Sequence, residues 1–224
     1  MSDKNIGNPV PILMSAAFVA IAATAFQTLH GLELPPNLEG GGHYQFLTNL
    51  ALCLSTLYFS VNLLYHVLKL KELKTLKVYL SATCLSLNFI VSSVYWSLKI
   101  FVPYLIISDE ATFPFSLDLK IHLMPLLCTA IDYFVYMRRW DIPYLTGYLI
   151  VTILTIAYWF WLDYLITEDA SYPYPFLNVE TNLRIIIFAV ISLVAFGSFC
   201  FGKLMHPDFI PELNLAEKDF SKKE

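Results

Sequence analysis

Residues 183–204 read LRIIIFAVISLVAFGSFCFGKL, an almost unbroken apolar run that carries Arg184 near its start and Lys203 near its end. A helix of about 20 mainly apolar residues is long enough to cross the hydrocarbon core of a bilayer. This run meets that length without an internal charge. It therefore predicts a transmembrane helix.

Five earlier stretches have the same character and are separated by short connections. They cover about Val10–Thr28, Tyr44–Leu68, Val78–Phe101, Leu117–Met137 and Tyr144–Ile166. There is no internal repeat and no segment with the composition of a soluble domain. We therefore predict an all-α fold: a single six-span transmembrane helix bundle over residues 10–204, with tails at 1–9 and 205–224.

The composition excludes several classes of protein. Of the 224 residues, 57% are hydrophobic and 14% are charged, and the net charge is −4, whereas soluble domains average about 45–50% apolar and about 25% charged. Such a chain is neither disordered nor a nucleic-acid binder, because it lacks both a polar excess and a basic footprint. The four cysteines form no CxxC pair, so we expect no metal site, no disulfide framework and no cofactor.

The basic residues predict an orientation. Of the 14 Lys and Arg residues, 11 lie on one predicted side: Lys4, Lys69, Lys71, Lys74, Lys77, Arg138, Arg139, Lys203, Lys218, Lys222 and Lys223. By the positive-inside rule this side faces the cytosol, together with both termini. An alternative interpretation makes the first stretch a signal peptide cleaved near Ala23-Thr24-Ala25. The C-terminal Ser221-Lys222-Lys223-Glu224 departs from a dilysine retrieval signal at Ser221, and we expect the endoplasmic reticulum or another endomembrane rather than the plasma membrane.

Two stripes of polar residues run along the second and third predicted spans. They are either contacts between helices or a polar path such as a small transporter needs. The stripes consist of Thr48, Ser55 and Asn62, and of Ser81, Cys84, Asn88, Ser92 and Tyr95.

His122 is the most informative polar residue, because an ionisable side chain in a span indicates either a functional site or a structural hydrogen bond. Asp118 lies four residues earlier on the same helical face, where it either orients the imidazole or is solvated at the interface. Pro125 removes a helix hydrogen bond and frees the carbonyl of Ile121. Counted from the predicted span ends, Thr48 and His122 lie at similar depths below the same surface, so a hydroxyl nucleophile and an imidazole base could meet.

Two further charged residues each have two interpretations. Asp132, deep in the fourth span, either pairs with Arg138 or Arg139 or accepts a hydrogen bond from a tyrosine on another helix. Arg184 either marks the interface or binds a lipid carboxylate or phosphate.

Three blocks occur in order along the chain and resemble the androgen-induced gene and androgen-dependent TFPI-regulating protein family of multi-pass membrane hydrolases. They are Gly41-Gly42-His43-Tyr44-Gln45-Phe46-Leu47-Thr48, then His122, and then Tyr174-Pro175-Phe176-Leu177 followed by Arg184-Ile185-Ile186-Ile187-Phe188. The resemblance implies a six-span enzyme that cleaves fatty acid esters of hydroxy fatty acids with Thr48 as nucleophile and His122 as base. The chain has Asp118, Leu119 and Leu123 where the family pattern has asparagine, histidine and threonine, so another lipid ester is also compatible.

We therefore predict an intramembrane lipid ester hydrolase of the threonine type, with Thr48 and His122 as catalytic residues. Asp118 is a candidate orienting residue, and Arg184 is a candidate for binding a substrate carboxylate. The expected partners are membrane lipids and the lipid ester itself. A non-catalytic membrane regulator or scaffold, and a small transporter using the polar stripes, are the alternatives.

Overall fold

The computed structural model describes residues 6–103, 114–166 and 170–208, and all regular secondary structure in these ranges is helical. Six of its helices are long and apolar enough to cross a membrane, which confirms the predicted all-α, six-span fold. We number them as spans one to six: Pro9–His30, Leu47–Val67, Lys71–Phe101, Phe115–Tyr136, Tyr144–Leu165 and Thr181–Met205. The orientation of the termini stays a prediction. Lys4, Lys218, Lys222 and Lys223 lie outside the described residues, as does the C-terminal motif.

Span three is the centre of the bundle and divides it into two groups of helices. On one side spans one and two pack against each other and against span four, and on the other side spans five and six form a pair; span three contacts spans two, four, five and six. The main apolar cluster joins spans one, two and four around the stacked rings of Phe18 and Phe59. A second cluster joins spans three, four and six around Trp140 and Phe199.

Span four is not a regular α-helix. It begins with the turn Phe115–Asp118, continues as the π-helical turn Leu119–Leu123 and the α-helix Met124–Ile131, and ends in a second π-helical turn, Asp132–Tyr136. Because Pro125 has no N–H, the carbonyl of Ile121 loses its usual partner, and the N–H of Met124 bonds instead to the carbonyl of Leu119. His122 lies inside this first π turn.

Much of the two polar stripes is used for contacts between helices. Asn62 donates to Ser15 of span one at 3.0 Å, and Asn88 donates to Ser55 across spans two and three at 2.9 Å. The indole of Trp140 donates to Ser81 at 3.3 Å. These groups are buried and bond to one another across the helix interfaces, as polar residues between membrane helices commonly do.

Of the two interpretations of Asp132, the structure supports a hydrogen bond from a tyrosine on another helix. Tyr58 of span two donates a hydrogen bond to the fully buried Asp132 carboxylate of span four. The pair joins two spans through a polar contact within the bundle.

Candidate active site

An apolar cavity of about 480 Å³ lies between spans two, three, five and six and is partly open to its surroundings. One end is lined by Thr48, Tyr95 and Tyr174, and the other by Gly147 and Phe199. Span five lines the cavity from Gly147 to Trp161, which is a distance of about 21 Å along the helix at 1.5 Å per residue. The cavity is therefore about two thirds as long as the hydrocarbon core of a bilayer is thick. This is the shape and surface chemistry that suit a long acyl chain.

Thr48 lies in the first turn of span two and points into the polar end of this cavity, with 8% of its surface exposed. The preceding residues set the start of this helix. Gly42 adopts φ +61° before the 3₁₀ turn His43–Gln45, and the buried Gln45 side chain donates to the carbonyls of Leu38 at 2.6 Å and Gly42 at 2.9 Å. A Cβ at Gly41 would lie 2.7 Å from the Gln45 side chain, so a larger residue there would shift the Gln45 amide.

Tyr174 brings a second hydroxyl to Thr48 from the loop before span six. Its phenol interacts with the Thr48 side chain and with the backbone N–H groups of Leu47 and Thr48, while burial raises the pKa of Tyr174 above its ordinary value. The N–H groups of a helix's first turn have no intrahelical acceptor, so they are available to such a partner. The neighbouring Tyr158 hydroxyl donates to the carbonyl of Gln45 at 2.8 Å.

His122 stacks on Tyr95, with the ring centroids 3.3 Å apart and the planes 3° from parallel. The Tyr95 hydroxyl donates to Oδ1 of Asp118 at 2.7 Å, and the ammonium of Lys99 pairs with the other carboxylate oxygen. The predicted contact between Asp118 and His122 is loose, since Oδ1 lies 3.7 Å from the imidazole Nδ1. Within the described ranges Nδ1 is buried and has no hydrogen-bond partner.

The residue count that gave Thr48 and His122 the same depth does not hold along the helices. Span two begins at Leu47, later than predicted, because His43–Gln45 form a 3₁₀ turn and Phe46 is extended. Span four begins at Phe115, earlier than predicted, so His122 lies about two turns inside it. Span two nevertheless packs against the π turn that carries His122.

Tyr95 links the two predicted catalytic residues. It lines the same cavity as Thr48 and stacks on His122, which itself is 8% exposed and is not part of the cavity wall. Within the described part of the chain, no hydrogen bond joins Thr48 to His122. This arrangement therefore contains no direct hydrogen bond along which a proton could pass between them.

Arg184 holds the loop that carries Tyr174. Its Nε donates to the carbonyl of Leu177 at 3.0 Å and its Nη2 to that of Val179 at 2.8 Å, while Nη1 bonds to the Tyr172 hydroxyl. The guanidinium also lies 3.9 Å from the centre of the Tyr172 ring. The predicted role of Arg184 in binding a substrate carboxylate stays a prediction.

Three residues around this site were not predicted to be functional. Tyr95 was one member of a polar stripe, Tyr174 lay in a segment that resembles the family, and Lys99 was not singled out. Lys99 lies one helical turn after Tyr95 in an apolar span, and a cation in that position is itself a signal for a buried carboxylate partner.

The chain is similar to known proteins over most of its length. A family model described as FAR-17a/AIG1-like protein matches residues 10–207. The UPF0641 membrane protein YHR140W of Saccharomyces cerevisiae is 27% identical over 218 residues, which cover 89% of this chain and 91% of that protein. The UPF0641 membrane protein PJ4664.05 of Schizosaccharomyces pombe is 29% identical over 188 residues, covering 81% of this chain and 83% of its own. No solved structure matches significantly.

Proposed function

The chain belongs to the FAR-17a/AIG1-like family, and we propose that this member is an intramembrane lipid ester hydrolase with Thr48 as its nucleophile. The observation that carries the proposal is the position of Thr48: a hydroxyl at the polar end of an elongated apolar cavity, beside a phenol and two helix N–H groups. An ester bond placed there has its acyl chain in the cavity and its carbonyl among hydrogen-bond donors.

In the proposed first step, Oγ of Thr48 attacks the ester carbonyl carbon while His122 takes the hydroxyl proton. The bond from that carbon to the alkoxy oxygen then breaks, and the imidazolium returns the proton to the leaving alcohol. Water next attacks the acyl-threonine with His122 again as the base, which releases the fatty acid and restores the Thr48 hydroxyl. Both steps need hydrogen-bond reach between the imidazole and the reacting oxygen.

Because Tyr95 stacks on His122, we propose that the imidazole reaches the ester only after the Tyr95 ring has moved. Tyr95 forms part of the cavity wall, so an acyl chain entering the cavity contacts this ring. We propose that the bound chain displaces Tyr95 and opens His122 to the ester. Asp118, held by Lys99, then stays close to Nδ1 and acts as the positioning residue.

Tyr174 is the proposed donor to the oxyanion that forms in each step. A tyrosine is protonated at neutral pH, and burial raises the pKa of Tyr174 further, so its phenol can donate to a developing negative charge. The N–H groups of Leu47 and Thr48 supply further donors at the same point. Preorganised donors of this kind usually provide the largest single contribution to acyl transfer.

The substrate class follows from the cavity and from the family resemblance together. A single elongated apolar cavity suits one extended acyl chain. The family resemblance implies that the substrate is a fatty acid ester of a hydroxy fatty acid. In such a substrate the second chain carries a carboxylate, and we propose that this chain lies outside the channel, on the side of Arg184.

The test is hydrolysis by the purified full chain in phosphatidylcholine nanodiscs. We expect release of fatty acid from a fatty acid ester of a hydroxy fatty acid, and labelling of Thr48 by a fluorophosphonate probe identified by peptide mass spectrometry. Active protein labelled at another residue, or a chain without activity on any long-chain ester, would contradict the proposal.

Replacing Tyr174 by phenylalanine should lower kcat by about a hundredfold with little change in KM, because the lost hydroxyl acts on the oxyanion rather than on the bound ester. The measurement is steady-state ester hydrolysis in nanodiscs. Tyr172→Phe is the matched control, since it removes a hydroxyl from the same loop that bonds to Arg184 instead. An equal loss of kcat in both variants would mean that the substitutions disturb the structure of the loop, and would contradict a role of Tyr174 in binding the oxyanion.

Replacing Phe199 by leucine should extend the range of accepted acyl chains. Phe199 forms the end of the cavity opposite Thr48, and a Cβ at Gly147 would lie only 2.3 Å from its ring, so the ring closes the channel tightly. We expect the turnover ratio of stearoyl to decanoyl esters to rise severalfold, since each added methylene contact affects selectivity on the order of tenfold. Phe201→Leu, at a side chain 60% exposed on the outer surface, should leave the ratio unchanged; an equal shift there would contradict the assignment.

A further inference from the structure

Span five holds the turn that precedes Thr48. The Tyr158 hydroxyl donates to the carbonyl of Gln45 at 2.8 Å. The indole N–H of Trp161 donates to the carbonyl of Tyr44 at 2.9 Å. The two donors are three residues apart, so they share one face of span five, and they meet two successive carbonyls. The turn is thus fixed by a helix that lies more than a hundred residues later in the chain.

The two carbonyls lie just outside span two. The backbone hydrogen bonds of this helix begin at the carbonyl of Phe46, which accepts from the N–H of Asn49 at 3.0 Å. The carbonyls of Tyr44 and Gln45 come before that point, and their donors come from span five. The first-turn N–H groups beside Thr48 follow directly, so the grip of span five on the turn sets where these groups point.

Span five also contacts the loop that supplies the second part of the site. The Tyr158 hydroxyl interacts with the Tyr174 phenol and with the backbone N–H of Leu47. The next residue, Trp159, has its ring centre 5.9 Å from the guanidinium of Arg184, the side chain that holds this loop. One short segment of span five therefore touches both the turn before Thr48 and the loop that carries Tyr174.

We propose that Tyr158 and Trp161 are positioning residues, which set the proposed oxyanion donors against Thr48. Tyr158 acts through Tyr174 and the Gln45 carbonyl, and Trp161 acts through the Tyr44 carbonyl. The inference rests on the proposed function. Misplaced donors weaken binding of the oxyanion in the transition state and leave binding of the ester almost unchanged, so the effect belongs to kcat.

The test is steady-state ester hydrolysis by Tyr158→Phe in phosphatidylcholine nanodiscs. We expect kcat to fall about tenfold, the effect of one lost hydrogen bond that orients the donors. KM should stay within about twofold of the parent, because phenylalanine keeps the ring that lines the cavity. Trp161→Phe should lower kcat in the same direction but by less, since the Tyr44 carbonyl is one residue further from Thr48.

Hydrogen exchange measures the grip of span five without relying on catalysis. Backbone amides of residues 43–50 should exchange faster in Tyr158→Phe and in Trp161→Phe than in the parent, because each variant removes one bond to the turn. Exchange that matches the parent in both variants would overturn the proposal, since the turn would then be held without span five.

Tyr148→Phe is the matched control. It removes a tyrosine hydroxyl from the opposite end of the same helix, where the exposed Tyr148 ring packs on Phe196. It should keep the parent's kcat, KM and exchange. An equal fall of kcat in Tyr148→Phe, or a Tyr158→Phe variant that changes KM alone, would overturn the positioning role. A parent chain without hydrolysis would overturn the proposed function instead, and exchange would then decide by itself whether span five holds the turn.

Discussion

Replacing Thr48 by valine should reduce ester hydrolysis by about a thousandfold or more, to the level of nanodiscs without the protein. Valine keeps the shape of threonine and removes only the hydroxyl, and loss of a nucleophile removes the covalent route altogether. Thr48→Ser should retain part of the activity, because it keeps an oxygen nucleophile at the same place. The measurement is release of fatty acid together with fluorophosphonate labelling.

Thr83→Val is the control for this experiment. Thr83 lines the same cavity, but its hydroxyl donates to the carbonyl of Tyr79 at 2.8 Å within its own helix. The variant should keep its activity, since it makes the same chemical change elsewhere in the channel. Gel filtration of each variant in detergent establishes that it is folded. A folded Thr48→Val protein that retains more than a small fraction of the parent's activity would exclude Thr48 as the nucleophile.

Replacing His122 by glutamine should lower kcat by about a hundredfold to ten-thousandfold, the range that a general base contributes. Glutamine fills a similar space and can stack on Tyr95, but it cannot accept and return a proton at neutral pH. Labelling of Thr48 by the fluorophosphonate should slow by a similar factor, because the probe also needs an activated hydroxyl. Steady-state turnover and labelling rate together measure the effect.

His30→Gln serves as the comparison for His122. His30 is exposed at the end of span one, on the same side of the bundle as the proposed site. Both variants replace one histidine by one glutamine. We expect full activity in that variant. If the two variants behave alike, or if His122→Gln hydrolyses esters at the parent's rate, the proton must leave Thr48 by another route.

Much of the fold could be predicted from the sequence, because membrane spans are specified locally. A run of about 20 apolar residues is its own signal, and Arg184 and Lys203 mark the two ends of span six without help from any other part of the chain. The unusual geometry near His122 was also local, since Pro125 alone removes the hydrogen bond that the carbonyl of Ile121 would accept. The helix starts differed from the prediction: a short 3₁₀ turn comes before span two, span three begins at Lys71 and span four begins at Phe115.

The candidate site could be predicted only in part, because its contacts join distant segments. Thr48 and His122 were identified by residue type and position, but nothing local indicates that Tyr95 stacks on His122 or that Lys99 takes the Asp118 carboxylate. Tyr174 reaches Thr48 from a loop between spans five and six, and its place is set by how Arg184 holds that loop. Such contacts arise from packing of the whole bundle, which residue spacing does not describe.

The two π turns of span four change which of its residues share a face of the helix. Each π turn contains one residue more than an α-helical turn, so the residues on either side are rotated by about 100° relative to a continuous α-helix. A helical wheel drawn through the whole span therefore assigns Asp118 and the residues after His122 to the wrong relative faces. Deleting one residue within Leu119–Leu123 should restore α-helical register and rotate the start of span four, with Asp118, by about 100° relative to the residues after Met124. The apolar span would still be long enough to cross a bilayer. The extra residue thus sets how the start of span four, where Asp118 pairs with Lys99, is rotated relative to the rest of the span.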